Sequence, residues 1–93
     1  MTNEIVIKRF LNRLSGETPL REIPNGIYVY RGRTLTSNGK ELINYRTTIA
    51  YWDNNGTLHL NKNKYSRTTS KIQTQLEYLA RQKNIPTMEY LKI

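Results

Sequence analysis

The sequence contains no cysteine and a single histidine among its 93 residues. The absence of cysteine excludes a disulfide framework and thiolate metal sites. Because the chain has only one histidine as well, it lacks the ligands for a structural zinc site. We expect neither a metal nor a cofactor. No apolar run approaches the roughly 20 residues of a membrane-spanning helix, and no signal-peptide pattern opens the chain. We therefore expect a cytoplasmic protein that does not contact a membrane.

Patterns typical of catalysis are also lacking. The 7 Asp and Glu residues are scattered and form no spaced pair for metal-dependent hydrolysis. The 5 glycines occupy turn or cap positions, so no Gly-rich loop is available to hold phosphates. His59 has no nucleophile with an orienting acid nearby in the sequence, and we expect it to be solvated or paired across strands. The sequence therefore predicts no enzyme and no catalytic residue.

Acidic charge is scarce in this chain. The 15 Lys and Arg residues give a net charge of +8 and a pI of about 10.0. Such a charge favours anionic partners, namely nucleic acid, an acidic protein surface or an anionic membrane, although it can also serve only to keep a small protein in solution. Hydrophobic residues make up 37% of the chain and the mean hydropathy is −0.72, so we expect a small core to which tyrosine and tryptophan contribute.

Residues 1–93 are predicted to form one small α+β domain. Helical spacing joins four apolar residues near the N-terminus: Ile7, Phe10, Leu11 and Leu14. They predict an N-terminal helix within residues 1–16, with Asn3 as its cap and Gly16 as its C-terminal stop. The β-branched run Glu4–Ile7 leaves open an extended start.

Residues 26–61 are predicted to form a three-stranded antiparallel β-meander. Its strands are 27–31, 41–52 and 57–61, separated by turns at Asn38-Gly39 and Asp53–Gly56. In the first strand, Ile27 and Val29 alternate with Tyr28 and Tyr30; in the last, Leu58 and Leu60 point inward. For the long middle strand the core face is predicted to carry Ile43, Tyr45, Thr47, Ile49 and Tyr51.

Residues 66–84 are predicted to form a long C-terminal helix packed on one face of the sheet. Ser66 or Thr68 can cap it, and Asn84 followed by Pro86 ends it. Its apolar stripe comprises Ile72, Leu76, Leu79, Ala80 and the stem of Lys83. The short tail, 85–93, alternates weakly and fits either an edge strand or a helical turn.

No acidic residue lies between Asp53 and Glu77. Basic and hydroxyl side chains are concentrated in this segment, just before the predicted helix and in its first turns. We predict phosphate neutralisation by Lys62, Lys64, Arg67 and Lys71. We predict hydrogen-bond donation to phosphate by Thr68, Thr69, Ser70 and the unpaired helix N–H groups, with Gln75 reaching a sugar or base edge. The structural alternative is a redundant helix cap, since Ser and Thr are preferred there.

A second set of residues interleaves aromatic rings with arginines on the predicted strands: Tyr28, Tyr30, Arg31, Arg33, Arg46, Tyr51 and Trp52. Proteins that bind single-stranded nucleic acid stack bases on such rings and hold the backbone with Arg. Arg46 and Trp52 are predicted to share a strand face and are the pair most open to testing. The alternative is that these aromatic residues simply form the core.

Two resemblances follow from these motifs. The segments Asn44–Tyr51 and Tyr65–Lys71 resemble a family of small uncharacterised phage and prophage proteins, in which a Tyr-x-Thr-x-Ile-Ala strand precedes Tyr-Ser-x-Thr-Thr-Ser-Lys and a helix. That resemblance covers roughly the second half of the chain and implies a phage origin, hence the host cytoplasm, without an established activity. The predicted α-β-β-β-α order is similar to the double-stranded RNA-binding domain, although its Lys-Lys-x-Ala-Lys helix start is missing here.

These observations predict a small basic phage-type protein that binds DNA or RNA through phosphate contacts at the junction of the third strand and the long helix. The alternative is a phage host-takeover or anti-defence protein that binds an acidic surface of a bacterial protein, with homodimerisation through exposed Tyr and Trp as part of that hypothesis.

Overall fold

The computed structural model describes residues 1–25 and 28–92, and for 23–25 and 28–31 it describes only the backbone. Within this part of the chain the helices are α1 (Asn3–Leu11) and α2 (Arg67–Gln82). The strands are β1 (Ser15–Glu17), β2 (Arg21–Asn25), β3 (Tyr28–Gly32), β4 (Leu35–Asn38), β5 (Glu41–Asn44), β6 (Thr47–Trp52), β7 (Leu58–Asn61) and β8 (Thr87–Tyr90). The α+β class is confirmed, but the three-stranded meander is replaced by a six-stranded sheet in the order β1-β4-β5-β6-β7-β8.

Helix α1 begins one residue earlier than predicted and ends well before the predicted stop. Thr2, not Asn3, is the N-cap, and its hydroxyl accepts a hydrogen bond from the Ile5 N–H. The helix stops because Arg13 adopts φ 60°, which lets the Leu14 N–H bond to the Arg9 carbonyl at 2.8 Å. The prediction that Gly16 ends the helix is therefore wrong, and Gly16 instead pairs with β4. The buried positions of α1 are Val6, Ile7, Phe10 and Leu11.

The long strand predicted for residues 41–52 is a hairpin, β5–β6. The chain reverses at Tyr45 and Arg46, where Tyr45 adopts φ 56°. No Gly, Pro or Asn-Gly signal marks this turn, which explains why the sequence pattern did not reveal it. Asn44 anchors it from inside, because its side-chain amide donates to the Thr34 carbonyl at 2.8 Å.

The buried face of this hairpin is the opposite of the predicted one, and a β-bulge adds Ile49 to it. Leu42 pairs with Ala50 and the next residue, Ile43, pairs with Thr48, so Ile49 has no partner on β5. A bulge of this kind turns two consecutive side chains toward one side, and Ile49 and Ala50 are both fully buried. Of the five residues predicted for the core face, only Ile49 is buried.

Strand β8 resolves the two alternatives for the tail in favour of an edge strand. It lies parallel to β7, with Leu58 opposite Thr87 and Asn61 opposite Tyr90. Parallel neighbours need a long crossover, and α2 is that crossover. Asn84 at φ 56° ends α2, as predicted.

The strand predicted at 27–31 corresponds to β3, which pairs with β2 in a separate antiparallel pair. Residues 15–25, for which no strand was predicted, supply β1 and β2. The predicted side-chain faces of residues 27–30 lie outside the described part of the structure.

Both helices cover the same face of the large sheet and run in the same direction. Near the end of α1, the Phe10 carbonyl accepts a hydrogen bond from the Trp52 indole at 3.0 Å. Past the end of α2, the Pro86 carbonyl accepts one from Leu58, which is the strand partner of Trp52. The first turn of α2 lies at the opposite end of the β5–β6 hairpin, against Asn44.

Neither described helix is long and apolar enough to span a membrane.

Candidate nucleic-acid interface

Ser66 alone caps α2. Its hydroxyl accepts from the Thr69 N–H at 3.3 Å and its carbonyl accepts from the Ser70 N–H at 2.9 Å. The first turn contains no acidic residue. The cap therefore accounts for one hydroxyl of the predicted cluster, and the remaining ones need separate explanations.

Thr69 belongs to the structural support of the helix. It is 4% exposed, and its hydroxyl donates to Asn44 Oδ1 at 2.5 Å. Because Asn44 in turn donates to the Thr34 carbonyl, a chain of hydrogen bonds ties the start of α2 to β5 and to the residue that precedes β4. The prediction that Thr69 donates to phosphate is therefore corrected, since its hydroxyl is buried and already engaged.

Lys62 is also engaged within the protein. Its ammonium group lies 2.9 Å from Glu77 and 3.9 Å from Glu89. The hydrogen bond from Lys62 is the main cause that lowers the pKa of Glu77, and Arg81 contacts the other carboxylate oxygen at 2.5 Å. Lys62 therefore serves to neutralise Glu77, and we remove it from the predicted phosphate ligands.

Trp52 lies in the core and Arg46 lies in the β5–β6 turn, so the prediction that the two share a strand face is wrong. Its ring is 6% exposed, its N–H is bonded to Phe10, and the Arg13 guanidinium lies 4.6 Å from the ring centroid. Arg46 is exposed in the β5–β6 turn. Base stacking on Trp52 is thus excluded by burial.

The other members of the strand set are separated from one another. Arg33 pairs with Glu17 at 3.2 Å and donates to the Thr18 carbonyl at 2.7 Å. Tyr51 stacks on His59 across the strands with a centroid distance of 4.6 Å. The side chains of Tyr28, Tyr30 and Arg31 lie outside the described residues.

His59 is paired across strands, one of the two alternatives predicted for it. Its Nε2 lies 2.8 Å from Asp53 Oδ2, and this hydrogen bond is the main cause that lowers the pKa of the Asp53 carboxyl. Asp53 also accepts from the Asn55 and Thr57 N–H groups, so it organises the β6–β7 turn. Within the described residues no group of His, Asp and Glu could hold a metal ion.

The remaining predicted residues do come together. We call the following exposed or half-exposed set the basic surface: Lys64, Arg67, Thr68, Ser70, Lys71 and Gln75. Several of them line a shallow groove of about 490 Å³ along the outer side of α2, the α2 groove. Arg67 and Lys71 lie one helical turn apart on that side. Neither forms an ion pair with any described residue, and the same holds for Lys64.

Two residues of the α2 groove were missed from sequence, Thr74 and Tyr78. Tyr78 is 59% exposed, and its hydroxyl accepts from Gln82 at 2.9 Å. The signal was present, because Arg67, Lys71, Thr74 and Tyr78 follow the 3.6-residue period on one helix face.

Comparisons of the chain with protein-family models, with curated proteins and with solved structures each found no match. The observed element order also differs from the α-β-β-β-α order of the double-stranded RNA-binding domain. The chain's own residues are therefore the basis on which a function is proposed.

Proposed function

We propose that this protein binds nucleic acid, contacting the phosphate backbone with the basic surface at the start of α2. One observation carries the proposal. Lys64, Arg67 and Lys71 have no acidic partner in the described chain, whereas Glu77, the acid nearest to Arg67 and Lys71 in sequence, is already bound by Lys62 and Arg81. The positive charge of this surface is thus left for an external anion.

The chemistry of the basic surface suits phosphate oxygens. Arg67 and Lys71 would neutralise phosphates, and each cation that does so releases a condensed counterion. Thr68, Ser70 and Gln75 add neutral donors of the kind that position a protein on a backbone. The N–H groups of the first helical residues lie at the positive end of the α2 dipole.

This mode of binding depends on the backbone rather than on base stacking. Trp52 is buried and Tyr51 stacks on His59, so neither offers a free ring to a base. Because the proposed contacts go to phosphates, affinity should depend little on base sequence and strongly on salt. Gln75, on the outer side of α2, is the residue in this set that can reach a base edge.

A second candidate function is binding to an acidic protein surface, which for a phage-encoded protein would belong to the host. The exposure of Tyr78 beside Arg67 and Lys71 favours it, because Tyr and Arg are enriched at the centres of protein interfaces.

Direct titration separates the two candidates. Fluorescence anisotropy with labelled duplex DNA, duplex RNA and single strands at low salt should show binding of at least one form. If none binds, the nucleic-acid proposal is lost. A pull-down from nuclease-treated host lysate, repeated with Tyr78→Ala, tests the second candidate. A single retained protein that is lost with Tyr78→Ala supports it, and retention of no protein speaks against it.

A further inference from the structure

A second groove, the helix-start groove, lies where both helices begin. It has a volume of about 390 Å³, within the range of small-ligand sites. The residues on which the inference depends are Thr2, Asn3, Arg21, Thr34, Tyr45 and Thr68. Thr2 and Asn3 begin α1 and Thr68 lies in the first turn of α2, so the groove receives the N-termini of two helices that run in the same direction.

The electrostatics of this groove favour an anion. The caps Thr2 and Ser66 each satisfy one N–H group of their helix, and the first N–H groups of both helices have no intrahelical acceptor. Two parallel helix dipoles add their positive ends at one place. Arg21 lines the groove and forms no ion pair with any described residue. No Asp or Glu among the described residues lines it, and Glu4, in the first turn of α1, lies outside the lining.

Thr34 gives an independent indication of a ligand. It is 8% exposed and lines the groove, and its carbonyl accepts from Asn44 and Tyr45. Its hydroxyl, in contrast, has no hydrogen-bond partner among the described residues. Every described side-chain polar atom that is sealed from solvent has a hydrogen-bond partner. The Thr34 hydroxyl, which has none among the described residues, therefore keeps a small contact with solvent.

Thr18 shows the contrast. It is equally buried and lines the same groove, but its hydroxyl both donates to the Leu35 carbonyl and accepts from the Leu35 N–H. Its hydrogen-bonding capacity is thus used inside the fold. The Thr34 hydroxyl has no such use within the described part of the chain, which leaves it available for a ligand atom.

We infer that the helix-start groove binds a phosphate group. The Arg21 guanidinium would pair with its charge, the Thr34 hydroxyl and the N–H groups of both helix starts would donate to its oxygens, and the Tyr45 hydroxyl would close the open side. The groove meets the basic surface at Thr68. A nucleic-acid strand lying on the basic surface would therefore present its terminal phosphate to the groove, and this second part rests on the proposed function.

Inorganic phosphate is the first probe. In an amide NMR titration at constant ionic strength, we expect saturable shifts at Asn3 and Thr68 that chloride does not produce. Arg21→Ala and Thr34→Val should each weaken phosphate binding about 10-fold, as expected for a hydrogen bond to a charged group. Thr36→Val, at a half-buried threonine of β4 that lies outside the groove, is the matched control and should leave the affinity unchanged. Absence of saturable shifts, or equal affinity in all variants, would overturn the phosphate site.

Oligonucleotides that differ only in a 5′-phosphate or a 3′-phosphate test the strand-end part. Tighter binding of one phosphorylated form, abolished by Arg21→Ala, supports it, and equal binding of all forms overturns it.

The two proposals fail separately. Phosphate binding without oligonucleotide binding would retain the groove and reject the proposed function, whereas oligonucleotide binding without phosphate binding would do the reverse.

Discussion

Thr69 Oγ1 lies 2.5 Å from Asn44 Oδ1, and this hydrogen bond fastens the first turn of α2 to the last residue of β5. Both residues are buried, at 4% and 1% exposure. The bond fixes where the basic surface starts relative to the sheet. Thr69 and Asn44 therefore support the candidate interface, whereas other residues would bind the ligand.

Thr69→Val should destabilise the protein without abolishing nucleic-acid binding. The change keeps the shape of the side chain but leaves the Asn44 carbonyl oxygen buried without this donor, which costs about 1–3 kcal/mol. The free energy of unfolding from urea titration measures the effect. Thr68→Val, a change at the exposed neighbour, should stay within about 0.5 kcal/mol. Equal effects at the two positions would contradict a structural role that is specific to Thr69.

Trp52→Phe should lower stability and leave nucleic-acid affinity unchanged. The substitution removes the indole N–H bonded to Phe10 and reduces the contact with the Arg13 guanidinium. Loss of the hydrogen bond alone costs about 1 kcal/mol. Thermal unfolding and anisotropy titration together check both parts. A marked loss of affinity in a folded Trp52→Phe variant would show that the ring does contact the ligand.

Glu77 should make stability depend on pH in the acidic range. Its pKa is lowered from 4.5 in the folded protein, chiefly by the hydrogen bond from Lys62. A carboxyl with a lower pKa in the folded state stabilises the fold above its unfolded pKa, and this stability is lost as the pH falls through the folded pKa. The stability difference between wild type and Glu77→Gln should therefore shrink between about pH 6 and about pH 3.

The pKa of Asp53 is also lowered, chiefly by its hydrogen bond with His59, and this effect is the same in wild type and in Glu77→Gln. The difference between wild type and Glu77→Gln thus isolates Glu77. Lys62→Met should have a similar effect, because it removes the hydrogen bond that lowers this pKa. A difference that stays constant across the acidic range would show that the Lys62–Glu77 pair does not act as described.

Helix α2 was predictable because its signals agree with one another. The predicted range, 66–84, is close to the observed helix, Arg67–Gln82. The agreement arises because the apolar period, Ser66 and Asn84 all indicate the same bounds. The β5–β6 turn was not predictable, because its turn residues are Tyr45 and Arg46 and its support is tertiary. Likewise, β8 pairs with β7 through the α2 crossover, which no local pattern encodes.

The candidate site was predictable as a charged segment but not as a set of contacts. Thr69, Ile72, Leu76 and Ala80 form one buried stripe, and extending the apolar period back by one turn would have placed Thr69 on it. The partner of Lys62 could not be deduced, because Glu77 reaches it only once α2 folds back over β7. The helix-start groove depends on two helices that are far apart in sequence, so it becomes visible only in the fold.

The salt dependence of nucleic-acid binding tests the central claim most directly. Arg67→Ala with Lys71→Ala should lower affinity and reduce the slope of log affinity against log salt by about 1.8 for duplex DNA, since each phosphate contact contributes about 0.9. The matched control, Lys40→Ala with Lys83→Ala, removes the same charge at the opposite end of the molecule, near Trp52 and the end of α2. The account predicts a reduced slope only in the first variant. Equal slopes in wild type and both variants would contradict it.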